Sequence, residues 1–133
     1  MKTEYIDVDG YWGIVVCYDL RRLDEYEMRQ YMMSFGMRGP EIDEATDILL
    51  FSENTGMCIS SFPLKMSLVF VGQSTSEEQK WDTIAHEILD HAKVAICDYY
   101  DIPFHGENAA WLTGFLMREI VHQIAPPCSD EKQ

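Results

Sequence analysis

From Ser76 to Tyr100 the chain holds neither glycine nor proline, and this uninterrupted stretch constrains the fold more than any other feature. Trp81, Ile84, Ala85, Ile88, Leu89, Ala92, Ala95, Ile96 and Tyr99 recur there at three- and four-residue steps, the period of a helix with one apolar face. Ser74-Thr75-Ser76-Glu77-Glu78-Gln79 supplies its start, with Thr75 and Glu78, or Ser76 and Gln79, suited to a capping box. Asp101-Ile102-Pro103 stops it. After a short connection at His105-Gly106-Glu107-Asn108, Ala109 to Ile124 repeats the helical pattern, with Leu112, Phe115, Leu116, Ile120 and Ile124 on its apolar side.

The apolar faces of two such helices need a partner, and the first half of the chain supplies strands. Tyr11 to Leu20 reads as a strand centred on Ile14, Val15 and Val16, after a polar start that ends in the Asp9-Gly10 turn signal. Residues 23–35 read as a short helix, ended by Gly36, Gly39 and Pro40. Glu41 to Asp47 reads as a loop or helical turn, followed by an apolar β segment at Ile48 to Ser52. Asn54-Thr55-Gly56 is a turn, Met57 to Phe62 a strand, and Lys65 to Gly72 the most strand-like run of all. The order predicts an α+β domain, a small antiparallel or mixed sheet packed on a long helix and a following antiparallel helix. It spans residues 1–125, with a polar tail at 126–133.

With 133 residues the chain is long enough to bury one core without cross-links. Its charge is lopsided: 10 Lys plus Arg against 23 Asp plus Glu give a net −13. A nucleic-acid binder needs a basic footprint to displace counterions, and Arg21-Arg22 is the only basic pair, so nucleic acid and anionic lipid are poor partners. No apolar run reaches membrane-spanning length, and Met1-Lys2-Thr3-Glu4-Tyr5 lacks the apolar stretch of a signal peptide. Cys17, Cys58, Cys97 and Cys128 stand too far apart for a zinc knuckle or redox pair and read as reduced thiols. The expected location is the cytoplasm.

Chemistry concentrates in His86-Glu87-Ile88-Leu89-Asp90-His91, in the middle of the long helix. An α-helix advances about 100° per residue, so His86 and Asp90 lie about 40° apart on one face. Imidazole and carboxylate are both ligands for Zn²⁺, and Glu87 holds the position of a general base in zinc hydrolases. His91 lies about 140° from His86, and only a local π-bulge would let the two share a metal. A zinc site needs a third protein ligand, which the first turn of the next helix offers in Glu107, with His105 just before it. His122, near that helix's far end, is a poor candidate. The competing structural reading is a solvated face carrying Glu87, Asp90 and His91, with His86 as a satisfied core residue.

Two segments together resemble a known family. Thr83-Ile84-Ala85-His86-Glu87-Ile88-Leu89-Asp90-His91 resembles the helix of small zincin-like metallopeptidases, which carries His-Glu-x-x-His. Glu107-Asn108-Ala109-Ala110-Trp111-Leu112-Thr113-Gly114 resembles a second signature, Glu-x-x-Ala-Tyr-Leu-x-Gly, of short zincin-like proteins of phages, prophages and Bacteroides-type bacteria. The resemblance covers roughly residues 75–120. It implies a zincin-like fold in which His86 and Glu107 are metal ligands and Glu87 the catalytic base. Asp90 stands where the family has histidine, and Trp111 where it has tyrosine. One histidine and two carboxylates make a harder, more anionic site, suited to zinc or to Mn²⁺ or Fe²⁺, with weaker activation of water.

The resemblance also implies a peptide or protein substrate, paired with an edge strand for which Lys65 to Gly72 is placed; a buried strand is the competing reading. Met28, Met32, Met33 and Met37 read as packing residues, and Tyr99, Tyr100, Phe104 and Trp111 as closing the core. Two functions are expected: a compact metallohydrolase, with His86, Asp90 and Glu107 holding the metal and Glu87 as base, or a metal-free, degenerate form of the same fold serving as a phage or mobile-element binding protein.

Overall fold

The apolar run read from Tyr11 to Leu20 is a strand, Trp12–Tyr18, whose seven residues are all buried. The computed structural model describes residues 1–124. The polar tail at 126–133, the last position of the domain read over 1–125, and Cys128 lie outside the described residues. Four strands, β1 (Lys2–Val8), β2 (Trp12–Tyr18), β3 (Gly56–Ser61) and β4 (Met66–Val71), form one sheet in the order β1-β2-β4-β3. β1 is antiparallel to β2, β2 parallel to β4, and β3 antiparallel to β4, so the sheet is mixed.

A parallel pair needs a crossover, and the chain between β2 and β4 contains α1 (Glu25–Ser34), α2 (Gly39–Phe51) and β3. The two helices cover one face, where Met28, Met32, Ile42 and Leu49 pack on Val15, Cys17, Leu68 and Phe70. The other face carries Ile14, Val16, Val69 and Val71 and is covered by the C-terminal helices through Ile84, Ile88, Ile96, Leu112 and Leu116. Burial on both faces explains why β2 and β4 read as continuous apolar runs rather than alternating ones. The domain is thus α+β, with helices on both sides of the sheet.

The Gly- and Pro-free stretch is a single rod in three parts: α3 (Glu77–Ala85), a π-helical turn (His86–Ala92) and α4 (Lys93–Tyr100). Ser76 caps it, its Oγ accepting the Gln79 N–H at 3.1 Å. At the other end Asp101 turns left-handed (φ 56°), and the Ile102 N–H reaches back to the Cys97 carbonyl at 2.8 Å. α5 (Glu107–Gln123) runs back along the rod: Asn108, Trp111 and Leu112 lie beside Ile96 and Tyr100, and Met117, Ile120 and Val121 beside Trp81, Ile84 and Ala85. No helix among the described residues is long and apolar enough to cross a membrane.

Two segments differ from the sequence reading. Residues 39–51 form one helix, longer than the loop or helical turn read over Glu41 to Asp47 and replacing the β segment read at Ile48 to Ser52. Pro40, read as ending the preceding helix, sits in the first turn of the next, where its missing N–H costs nothing. Ile42, Thr46 and Leu49 form its buried stripe, while Ile48 and Phe51 remain exposed. The polar start is strand β1, a sheet edge that buries only Ile6 and Val8; edge strands carry charge readily, which hides them from hydropathy.

Candidate functional site

Ile84, Ile88, Ala92 and Ile96 are all buried on the sheet side of the rod, at strict four-residue steps. In a regular α-helix each such step rotates by about 40°, so three steps would carry Ile96 about 120° away from Ile84. A π-turn, with its i→i+5 bonds, is wider and takes that drift back. The turn spans His86–Ala92, and Glu87, Ile88 and Ala92 are its buried residues.

The wider turn alters which side chains meet. His91, five residues after His86, now stands over it: the two Nε2 atoms are 3.0 Å apart, with the rings perpendicular and their centroids 4.6 Å apart. Asp90 approaches the opposite nitrogen, its Oδ2 lying 3.5 Å from His86 Nδ1. That separation is an electrostatic contact rather than a hydrogen bond. His86 therefore has a histidine at one ring nitrogen and a carboxylate at the other.

Glu87 is only 6% exposed, although the site is open. It is covered by β3, which comes close because residue 56 is glycine: a Cβ there would lie 3.0 Å from both Cγ and Oε2 of Glu87. Burial raises the Glu87 pKa above the ordinary glutamate value, and Asp90 adds to this, while His91 and His86 act the other way. Because the folded pKa is raised, ionisation costs stability. The cost is absent at pH values below the unfolded glutamate pKa, grows as pH rises towards the folded one, and is complete above it. Glu87→Gln is expected to raise the melting temperature of the metal-free protein at neutral pH, with the gain shrinking as the pH falls through the raised folded pKa and gone below about 4, in thermal melts across a pH series.

An open groove of about 660 Å³ runs beside this turn, lined by Asn54, Gly56, Asp82, His86, Glu87 and Asp90 among others. Asn54 is fixed at its end by Thr75, whose N–H donates to the Asn54 side-chain oxygen at 3.0 Å. Cys58, on the neighbouring strand, is no ready ligand, since burial pushes its thiol up to about 12. The strand along the groove is β3, at the free edge of the sheet; Lys65 to Gly72, read as placed for that position, corresponds to β4, which is paired on both sides.

The structure thus brings together His86, Glu87 and Asp90 and adds His91, which regular helical spacing excludes. Glu107 is not brought to them. The antiparallel register sets the first residues of α5 beside Ile96 and Tyr100, at the far end of α4, and Glu107 does not line the groove. Among the described residues no group of three or more His, Cys, Asp or Glu is placed to hold a metal. The 3.0 Å contact between the two Nε2 atoms is a hydrogen bond between the imidazoles, its direction set by their tautomers. The sequence signal for the π-turn is the four-residue apolar repeat Ile84, Ile88, Ala92 and Ile96, which drifts by about 40° per step in a regular helix. No family model matches the chain, and no match is found among the curated proteins or the solved structures.

Proposed function

We propose that this chain is a zincin-like metallohydrolase acting on amide bonds, with the metal held by His86 and His91 and Glu87 as general base. The observation that supports this reading most is the π-helical turn, which sets the two Nε2 atoms 3.0 Å apart with Glu87 buried on the same turn. His91 thereby takes the part that helical spacing gave to Asp90. Bound Zn²⁺ would polarise the substrate carbonyl and lower the pKa of a coordinated water to about 7. Glu87, kept from bulk solvent by β3, accepts the proton of the attacking water and returns it to the departing amine. A carboxylate with a raised pKa suits both halves of that exchange. The free edge of β3 offers main-chain hydrogen bonds to an extended peptide or protein substrate alongside the groove.

A second reading retains the fold without turnover, as a binding or structural protein of phage or mobile-element type. The position of Glu107 at the far end of α4 favours it, because catalytic zinc sites carry three protein ligands. One assay separates the two. Zinc-loaded protein is incubated with a mixed quenched-fluorescent peptide library, beside Glu87→Gln. The enzyme reading expects cleavage that falls about 10²–10⁴-fold in the variant, the usual worth of a general base. Zinc bound at His86 and His91 without cleavage supports the second reading. Cleavage undiminished in Glu87→Gln contradicts the role given to Glu87.

A further inference from the structure

Glu87 is 6% exposed, yet its carboxylate has no hydrogen-bond or ion-pair partner among the described residues, and it lines the groove beside the rod. An unpaired buried carboxylate is costly, so a group that reaches it from the groove regains what folding gave up. The rest of the lining gives the sign of that group. Asp82 and Asp90 flank Glu87 along the rod, and no Lys or Arg lines the groove among the described residues. We infer that the groove binds a basic side chain, the ammonium of Lys or the guanidinium of Arg, carried by a peptide strand on the free edge of β3, with Glu87 as its buried partner. The inference rests on the function proposed above for the peptide on β3, and needs neither the metal nor turnover.

Geometry separates such a cation from a metal ion. A metal draws its oxygens to one point, about 2.0–2.6 Å away, and no His, Cys, Asp or Glu group is so placed among the described residues. From Asp82 to Asp90 the rod rises about 12 Å, at about 1.5 Å per residue, so the three carboxylates form a strip. A long basic side chain suits a strip, its head bonded to Glu87 and its charge shared with the flanking acids. β3 supplies the entry. Cys58 packs on the rod side of the sheet, and a Cβ at Gly56 would meet Thr83 and Glu87, whereas Met57 and Ile59 pack on the side of α1 and α2. Side chains alternate along a strand, so one added to the edge of β3 sends every second side chain to the rod side. Gly56, with no side chain of its own, leaves the way to Glu87 open.

The test measures, by fluorescence polarisation in EDTA, the binding of labelled Thr- and Val-rich peptides that differ only at one central residue: Lys, Arg or norleucine. Norleucine keeps the aliphatic stem of Lys and removes the charge. The Lys and Arg peptides are expected to bind about tenfold tighter than the norleucine peptide, the worth of one hydrogen bond between charged groups. Glu87→Gln, which keeps the shape and removes the charge, loses that preference. Glu44→Gln makes the same change of charge at an exposed site on α2, across the sheet from the groove, and keeps it. Equal binding of the charged and norleucine peptides, binding of none of them, or a preference that survives Glu87→Gln would overturn the inference. So would a preference that falls equally in Glu44→Gln, which would assign it to the net charge of −13. Because metal is absent throughout, failure of zinc binding or of cleavage leaves this result untouched, and loss of the Lys preference leaves the metal reading to its own assay.

Discussion

His91→Ala is expected to lose as much zinc affinity as His86→Ala, more than about a hundredfold, a ligand being worth more than the groups that support one. In the proposed site the two histidines would contribute alike, through Nε2 atoms 3.0 Å apart, and the loss of either would leave a single imidazole that cannot chelate. Glu107→Gln is expected to change nothing, because the register of α5 sets that residue by the far end of α4. Isothermal titration of zinc into the three variants checks both statements. A regular α-helical rod predicts a different result, with Asp90→Ala deleterious and His91→Ala harmless, since His91 would then point about 140° away from His86. The comparison therefore reads out the π-turn in solution as well as the site it builds.

The second large effect concerns what keeps that turn in place. Ile88 lies at its centre, is fully buried, and belongs to the core on the sheet face covered by the rod. Ile88→Ala is expected to cost about 2–5 kcal/mol, from the lost transfer energy together with the cavity left behind. Against a total of about 5–15 kcal/mol for a typical domain, this is a large fraction, readable as a lower urea midpoint at unchanged slope. A coupled effect follows. The four-residue repeat Ile84, Ile88, Ala92 and Ile96 keeps one face only if the turn stays wide. Without the Ile88 side chain the gain from that alignment shrinks, the regular helix regains ground, and His86 and His91 separate. Ile88→Ala is thus expected to weaken any zinc binding in folded protein, although Ile88 is itself buried in the core.

The long rod, its Ser76 cap, its stop at Asp101 and the strands β2, β3 and β4 were legible because each rests on local signals: periodicity, a capping side chain, a β-branched run. β1 and α2 were not. Three of the seven β1 residues are charged, which suits a sheet edge and looks like a loop to any hydropathy argument. α2 was obscured by Pro40, since proline ends one helix and begins another with equal ease. In the site, the cluster His86, Glu87 and Asp90 was visible from spacing. The partnership of His86 with His91 was not, because it depends on a departure from helical spacing that tertiary packing imposes. The placement of Glu107 depends on the register of two packed helices, which no sequence motif encodes.

The most direct measurement is anomalous diffraction at the zinc edge from crystals of the zinc-loaded protein. The account predicts one peak between the two rings, about 2.0–2.1 Å from Nε2 of both His86 and His91, with Asp90 at the Nδ1 edge of His86. A peak bound by Asp90 and Glu107 without His91, or no peak at the π-turn in crystals that contain zinc, would contradict it.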